Sequence, residues 1–146
     1  MYIPAQVFPG LSDIPVLITK DLPVLIRIAS EHMGVPDEMI LSKNRKEEYI
    51  TARHLCIVIF REVNRLTYQE VADKFNIHNS SIGYIRKTVR NRCETEPFLY
   101  NKLCAIISQF LRNTHQVKVD RIIRNITTYT PYERIADLSF KDEGLL

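Results

Sequence analysis

Apolar residues recur at helical spacing along most of this chain. Leu22, Leu25, Ile26, Ala29 and Met33 make a first stripe, opened by Asp21 as a cap and ended by Gly34. Val35-Pro36-Asp37-Glu38 turns the chain into a short second helix, and the basic loop Ser42-Lys43-Asn44-Arg45-Lys46 leads into a long segment over 47–65. The acidic start and basic end of that segment suit a helix dipole. Its middle, residues 55–60, is a run of six apolar side chains. Such a run fits a buried strand as well, but the length of the segment and its charged flanks predict a helix surrounded on most sides. Thr67 and Glu70 have capping-box spacing just before Val71 and Phe75. Asn79, Ser80 and Ser81 are good caps ahead of the stripe Ile82, Ile85 and Val89. Thr95-Glu96-Pro97 then opens a helix with Leu99, Leu103, Ile106, Ile107 and Phe110 on one face. Past Asn113 the pattern weakens: Val117, Val119, Ile122, Ile123 and Ile126 suit a short helix, broken at Thr127-Thr128-Tyr129-Thr130-Pro131.

The expected architecture is an all-α, multi-helix domain over 21–112. Residues 1–20, with Pro4, Pro9, Pro15 and Gly10, form an N-terminal extension, and residues 113–146 a C-terminal one. Within the domain, 66–89 reads as two short helices joined by a tight turn, the layout of a helix-turn-helix. The second helix has an apolar inner face and an outer face of Tyr84, Arg86, Lys87, Arg90 and Arg92, which suits the major groove of duplex DNA. Charge sharpens this reading. From Lys43 to Arg92 the chain carries eleven Lys/Arg against five acids, a net of +6, whereas the remainder has nine against twelve. The overall +3 conceals a concentrated basic region.

Several classes of function are excluded on the same footing. A chain of 146 residues with 45% hydrophobic content builds one core. The longest apolar run is far short of the roughly 18 residues that span a bilayer, and Met1-Tyr2-Ile3-Pro4 lacks the features of a signal peptide. The expected location is the cytoplasm, at the nucleoid, with no membrane contact. Cys56 and Cys104 lie in apolar helical patterns as packed thiols; Cys93 is harder to place. His32, His54, His78 and His115 show no ligand spacing, so no metal and no cofactor are expected. Glu47-Glu48, Glu94/Glu96 and Asp142-Glu143 fall at helix starts or in the tail, and no catalytic arrangement stands out. Gly-x-x-x-x-Gly-Lys-Ser/Thr is absent, which predicts neither nucleotide binding nor ATPase activity.

Taken together in order, the landmarks carry a resemblance. Gly34-Val35 followed by Met39-Ile40-Leu41-Ser42-Lys43, then Ala52-Arg53, Phe60-Arg61-Glu62-Val63, Thr67-Tyr68-Gln69-Glu70-Val71-Ala72 with Phe75, and Ser80-Ser81-Ile82 resemble the C-terminal DNA-binding domain of the bacterial replication initiator DnaA. That family has the Trp-repressor-like helix-turn-helix fold, and the likeness runs over 24–111. The resemblance implies base reading by Asn79, Ser80 and Ser81 in the major groove and by Arg45 in the minor groove. It also implies backbone contacts from Arg53, Arg61, Thr67 and Tyr68. His78, Tyr84 and Lys87 join the backbone set from their places in the motif: His78 either donates to a phosphate or fills the turn, and Tyr84 either reaches backbone or packs. The sequence departs from the family where His78-Asn79-Ser80-Ser81 stands for its Asp-His-Thr-Thr signature. Its glycine-rich turn is shortened to Asn76-Ile77, and the arginine before the signature is missing. A changed donor and acceptor set reads different bases.

The expected function is therefore sequence-specific binding of double-stranded DNA, in replication control or transcription of a bacterial or phage chromosome, without catalysis. The alternative is a protein interaction module on the same helical scaffold, with a partner taken up by either extension. A DNA-processing enzyme accessory to recombination ranks below both.

Overall fold

The computed structural model of the protein describes residues 22–128; the N-terminal extension, the Asp21 cap and the tail from residue 129 onward lie outside the described residues. Within them the chain is all-helical, with seven helices: α1 Leu22–Met33, α2 Asp37–Ile40, α3 Glu47–Asn64, α4 Tyr68–Phe75, α5 Ser80–Thr95, α6 Pro97–Phe110 and α7 Gln116–Thr127. Gly34 stops α1 as expected, because it adopts φ 69° and returns its N–H to the Ser30 carbonyl at 2.9 Å.

Helix α3 is the axis of the molecule. Residues 55–60 are all buried and all helical, and α1, α2, α4, α5 and α7 pack around them, which is why the apolar run shows no amphipathic period. Leu55, Ile57, Ile59 and Phe60 are almost fully enclosed. Each such side chain contributes roughly 1.5–3 kcal/mol relative to its exposed state. Phe60 meets Phe75 of α4 edge to face at 6.3 Å, tying the motif to the axis. Ile82, Ile85, Val89 and Cys93 form the inner stripe of α5.

Helix α6 opens on Pro97 and buries Leu99, Leu103, Ile106 and Ile107, chiefly against α1 and α5. The region read as a C-terminal extension is part of the packing: α7 inserts Val119, Ile122 and Ile126 against α3, α5 and α6, while Val117 stays 67% exposed. Asn125 of α7 donates to Glu62 of α3 at 3.0 Å. The packed unit therefore continues past residue 112, because three apolar residues at helical spacing suffice to seat a twelve-residue helix.

Candidate nucleic-acid interface

The first motif helix is set by its cap. The Thr67 hydroxyl accepts from the Glu70 N–H at 3.2 Å, and the Glu70 carboxylate accepts from the Thr67 N–H at 2.8 Å. The expected capping box is present, and these bonds hold the Glu70 carboxyl below the usual carboxylate range. Tyr68 follows at the first turn. Its ring covers the Arg61 guanidinium at 4.7 Å, its hydroxyl accepts from Arg86 Nη1 at 2.8 Å, and Gly83 of α5 lies beneath it. One aromatic ring thus joins α3, α4 and α5.

The start of α5 departs from expectation. Asn79 has helical backbone angles, φ −63° and ψ −26°, and makes no capping bond; the caps predicted at Asn79, Ser80 and Ser81 are replaced by His78. The His78 carbonyl accepts the first helical bond, from the Ser81 N–H at 3.0 Å, and His78 Nδ1 accepts from the Ser80 N–H at 3.1 Å. A backbone N–H can only donate, so Nδ1 is unprotonated, and the Ser80 hydroxyl donates to it as well at 2.7 Å. Four residues, Asn76 to Asn79, join the two helices; Asn76 is left-handed at φ 55°, and Asn79 is already helical, so winding begins one residue ahead of α5. Asn79 turns instead toward α4, donating through Nδ2 to Gln69 Oε1 at 3.0 Å, and Gln69 Nε2 donates to Asp73 Oδ1 at 2.7 Å.

The basic loop is built with equal care. Its turns are closed by Asn44 N–H to Ser42 Oγ at 3.1 Å and Lys46 N–H to Asn44 Oδ1 at 2.9 Å. Arg53 reaches in from α3: Nε donates to the Ile40 carbonyl at 2.6 Å, and Nη2 to those of Met39 at 3.0 Å and Asn44 at 3.1 Å. Lys43 Nζ donates to the Asn76 carbonyl at 2.6 Å, tethering the loop to the turn of the motif. Arg45 and Ser80 are exposed and Ser81 is half-buried.

Residues 24–89, from early α1 to the middle of α5, match the family model described as the bacterial dnaA protein helix-turn-helix. This segment is a DnaA-type helix-turn-helix domain. The chain is 26% identical over 84 residues to the chromosomal replication initiator protein DnaA of Mycoplasma pneumoniae, covering 58% of this chain and 19% of that protein. Identity to its counterpart in Mycoplasma genitalium is 25% over the same length and shares. The chain thus spans about a fifth of the length of these curated relatives. No solved structure matches it significantly.

A DnaA-type domain implies DNA binding, and here the fold ties the start of α4 to α5 through Tyr68 with Gly83 and Arg86 and through Gln69 with Asn79. Tyr84 is 69% exposed on the outer face of α5. The rest of that face is less open than the sequence predicts. Lys87 and Arg86 are half-buried, Arg90 is only 8% exposed, and Arg92 makes paired bonds to Glu96 at 2.9 and 3.0 Å with a third to Thr51 at 3.0 Å. The reason is that α3, α6 and α7 all pack on α5 and cover its later turns. Arg53 and Arg61 also face inward: Arg61 is 24% exposed, lying under Tyr68 and 3.6 Å from the Glu62 carboxylate. Lys43 and Gln69 escape sequence reasoning. Lys43 acts on a carbonyl 33 residues away and Gln69 on an amide ten away, and no local spacing signals either bond.

Among the described residues no three His, Cys, Asp or Glu side chains group as metal ligands. Cys56 and Cys93 are buried free thiols, and burial pushes them up to about 12 and about 11 respectively. Cys104 is only half-buried. No helix among the described residues is long and apolar enough to cross a membrane.

Proposed function

We propose that this protein binds double-stranded DNA sequence-specifically, laying the first turn of α5 in the major groove and Arg45 in the adjacent minor groove. Asn79, Ser80 and Ser81 read bases, while Thr67, Tyr68, His78, Tyr84 and Lys87 contact the sugar-phosphate backbone. Arg53 and Arg61 serve the same interface from behind, through the basic loop and Tyr68. The role is control of replication initiation or of transcription inside a bacterial cell, without catalysis by this chain.

The observation that carries this reading is the division of labour at the start of α5. His78 caps the helix, so the Asn79 amide is released from the capping duty usual at that position. Half-buried Asn79 gives one N–H to Gln69, which leaves its other N–H and its Oδ1 for a base edge in the major groove. The test is selection of bound sequences from random duplexes, followed by Asn79→Asp on the selected site. The substitution reverses the donor pattern but favours the helix dipole, so the melting temperature should hold while binding weakens by about 1–3 kcal/mol, and by much less on random duplex. Equal losses on both duplexes, or none on either, would remove α5 from base recognition and favour the interaction-module reading.

A further inference from the structure

From the side chains behind Asn79 we infer that Gln69 is a positioning residue for base recognition: it orients the Asn79 amide and thereby fixes adenine as the base read there. This rests on the DNA-reading role proposed for α5. A carboxylate can only accept, so the bond from Gln69 to Asp73 Oδ1 forces the Gln69 amide nitrogen toward Asp73. Its carbonyl oxygen must then face α5, where it accepts only from a donor, and Asn79 must therefore turn Nδ2 toward α4. One fixed acceptor at Asp73 thus removes the two-fold ambiguity of both amides in series.

The consequence lies at the base edge. With one N–H given to Gln69, Asn79 keeps one N–H and its Oδ1 in a set order. Adenine presents a matching pair in the major groove, N7 as acceptor and the N6 amino group as donor. A flipped amide would set donor against donor and acceptor against acceptor, and guanine, with two acceptors, satisfies neither order. Gln69 need not touch DNA to have this effect. Moreover, docking of the duplex removes water from the relay and strengthens each bond in it.

The experiment compares the full chain with Gln69→Ala and with the double substitution Gln69→Glu/Asp73→Asn. The double variant keeps the net charge and still offers Asn79 an acceptor. The amide introduced at position 73 can donate to the carboxylate introduced at position 69, which in turn can accept from Asn79. On the site selected by the unmodified chain, preference for adenine at the position facing Asn79 should fall about tenfold in Gln69→Ala. Affinity for random duplex and the melting temperature should be unchanged, and the double variant should restore the preference. A second reading needs no DNA: in the NMR spectrum of the free protein, the Asn79 side-chain amide protons should exchange faster with water in Gln69→Ala. A Gln69→Ala protein with the original preference, or a natively melting double variant without it, overturns the inference and leaves the DNA-reading role standing. A parent chain that selects no sequence removes that role and base reading by Asn79 with it. Amide exchange unaltered by Gln69→Ala removes the relay itself, whatever the DNA results.

Discussion

Arg45 and Arg53 lie in the same basic stretch and are used in opposite ways. Arg45 projects into solvent from a loop whose backbone is already fixed, whereas Arg53 donates three hydrogen bonds to backbone carbonyls beneath that loop. The difference originates in α2. A helix of four residues ends with carbonyls that have no intrahelical partner, and the forked donor of an arginine suits a cluster of them. Net charge counts both residues equally; only the exposed one adds to the surface field. The same division recurs on α5, where Arg90 and Arg92 are drawn into the fold and Tyr84 is left outside. The concentrated positive charge is partly structural cement.

The most damaging way to break the contrast is Arg53→Ala. It takes the side-chain donor from the Ile40 and Asn44 carbonyls, while that of Met39 keeps the Ser42 hydroxyl, and should cost about 2 kcal/mol of stability, lowering affinity for every duplex because the loop is no longer held. Arg53→Lys should recover little, since an ammonium lacks the fork. Thermal melting and a salt titration would decide it: an unchanged melting temperature with a salt slope reduced by one would make Arg53 a plain phosphate contact. His54, next to Arg53, gives a smaller effect. Burial first, then the Arg53 and Arg92 charges, push it from its ordinary 6.5 down to about 4. The unfolded chain therefore takes the proton more readily, so this contribution to stability is complete above pH 6.5 and is lost as pH falls toward 4. The melting temperature should drop by a few degrees across that window, and His54→Gln should flatten the drop. An identical pH profile in the variant would show that other groups cause it. Arg45→Ala should have the least effect on the fold. Melting should not move, while the salt slope for DNA binding should shrink by about one. A destabilised Arg45→Ala protein would erase the distinction from Arg53.

Helix positions are largely legible in the sequence because local signals fix them: Gly34 as a stop, Thr67 with Glu70 as a box, Pro97 as an opening residue. The ambiguous run over 55–60 resolves as helix, its missing period explained by neighbours on nearly every side. What stays hidden depends on pairs distant in sequence. Nothing near Arg90 announces that it is buried, and nothing near Lys43 announces the turn at Asn76. The cap at His78 is hidden for a subtler reason. Asn and Ser are the better caps by residue type, but Asn79 already has helical backbone angles, so the capping falls to the residue before it.

Gly83 offers a practical lever. It sits in the second turn of α5 with an ordinary helical backbone, and a β-carbon there would rest 3.7 Å from the Tyr68 ring, at normal contact distance. Neither space nor backbone conformation demands glycine, yet glycine in a helix interior gives up about 1 kcal/mol relative to alanine. A single methyl group at this site should therefore raise the thermal tolerance of the protein. Whoever needs a sturdier version for crystallisation or as a laboratory reagent can begin at that position.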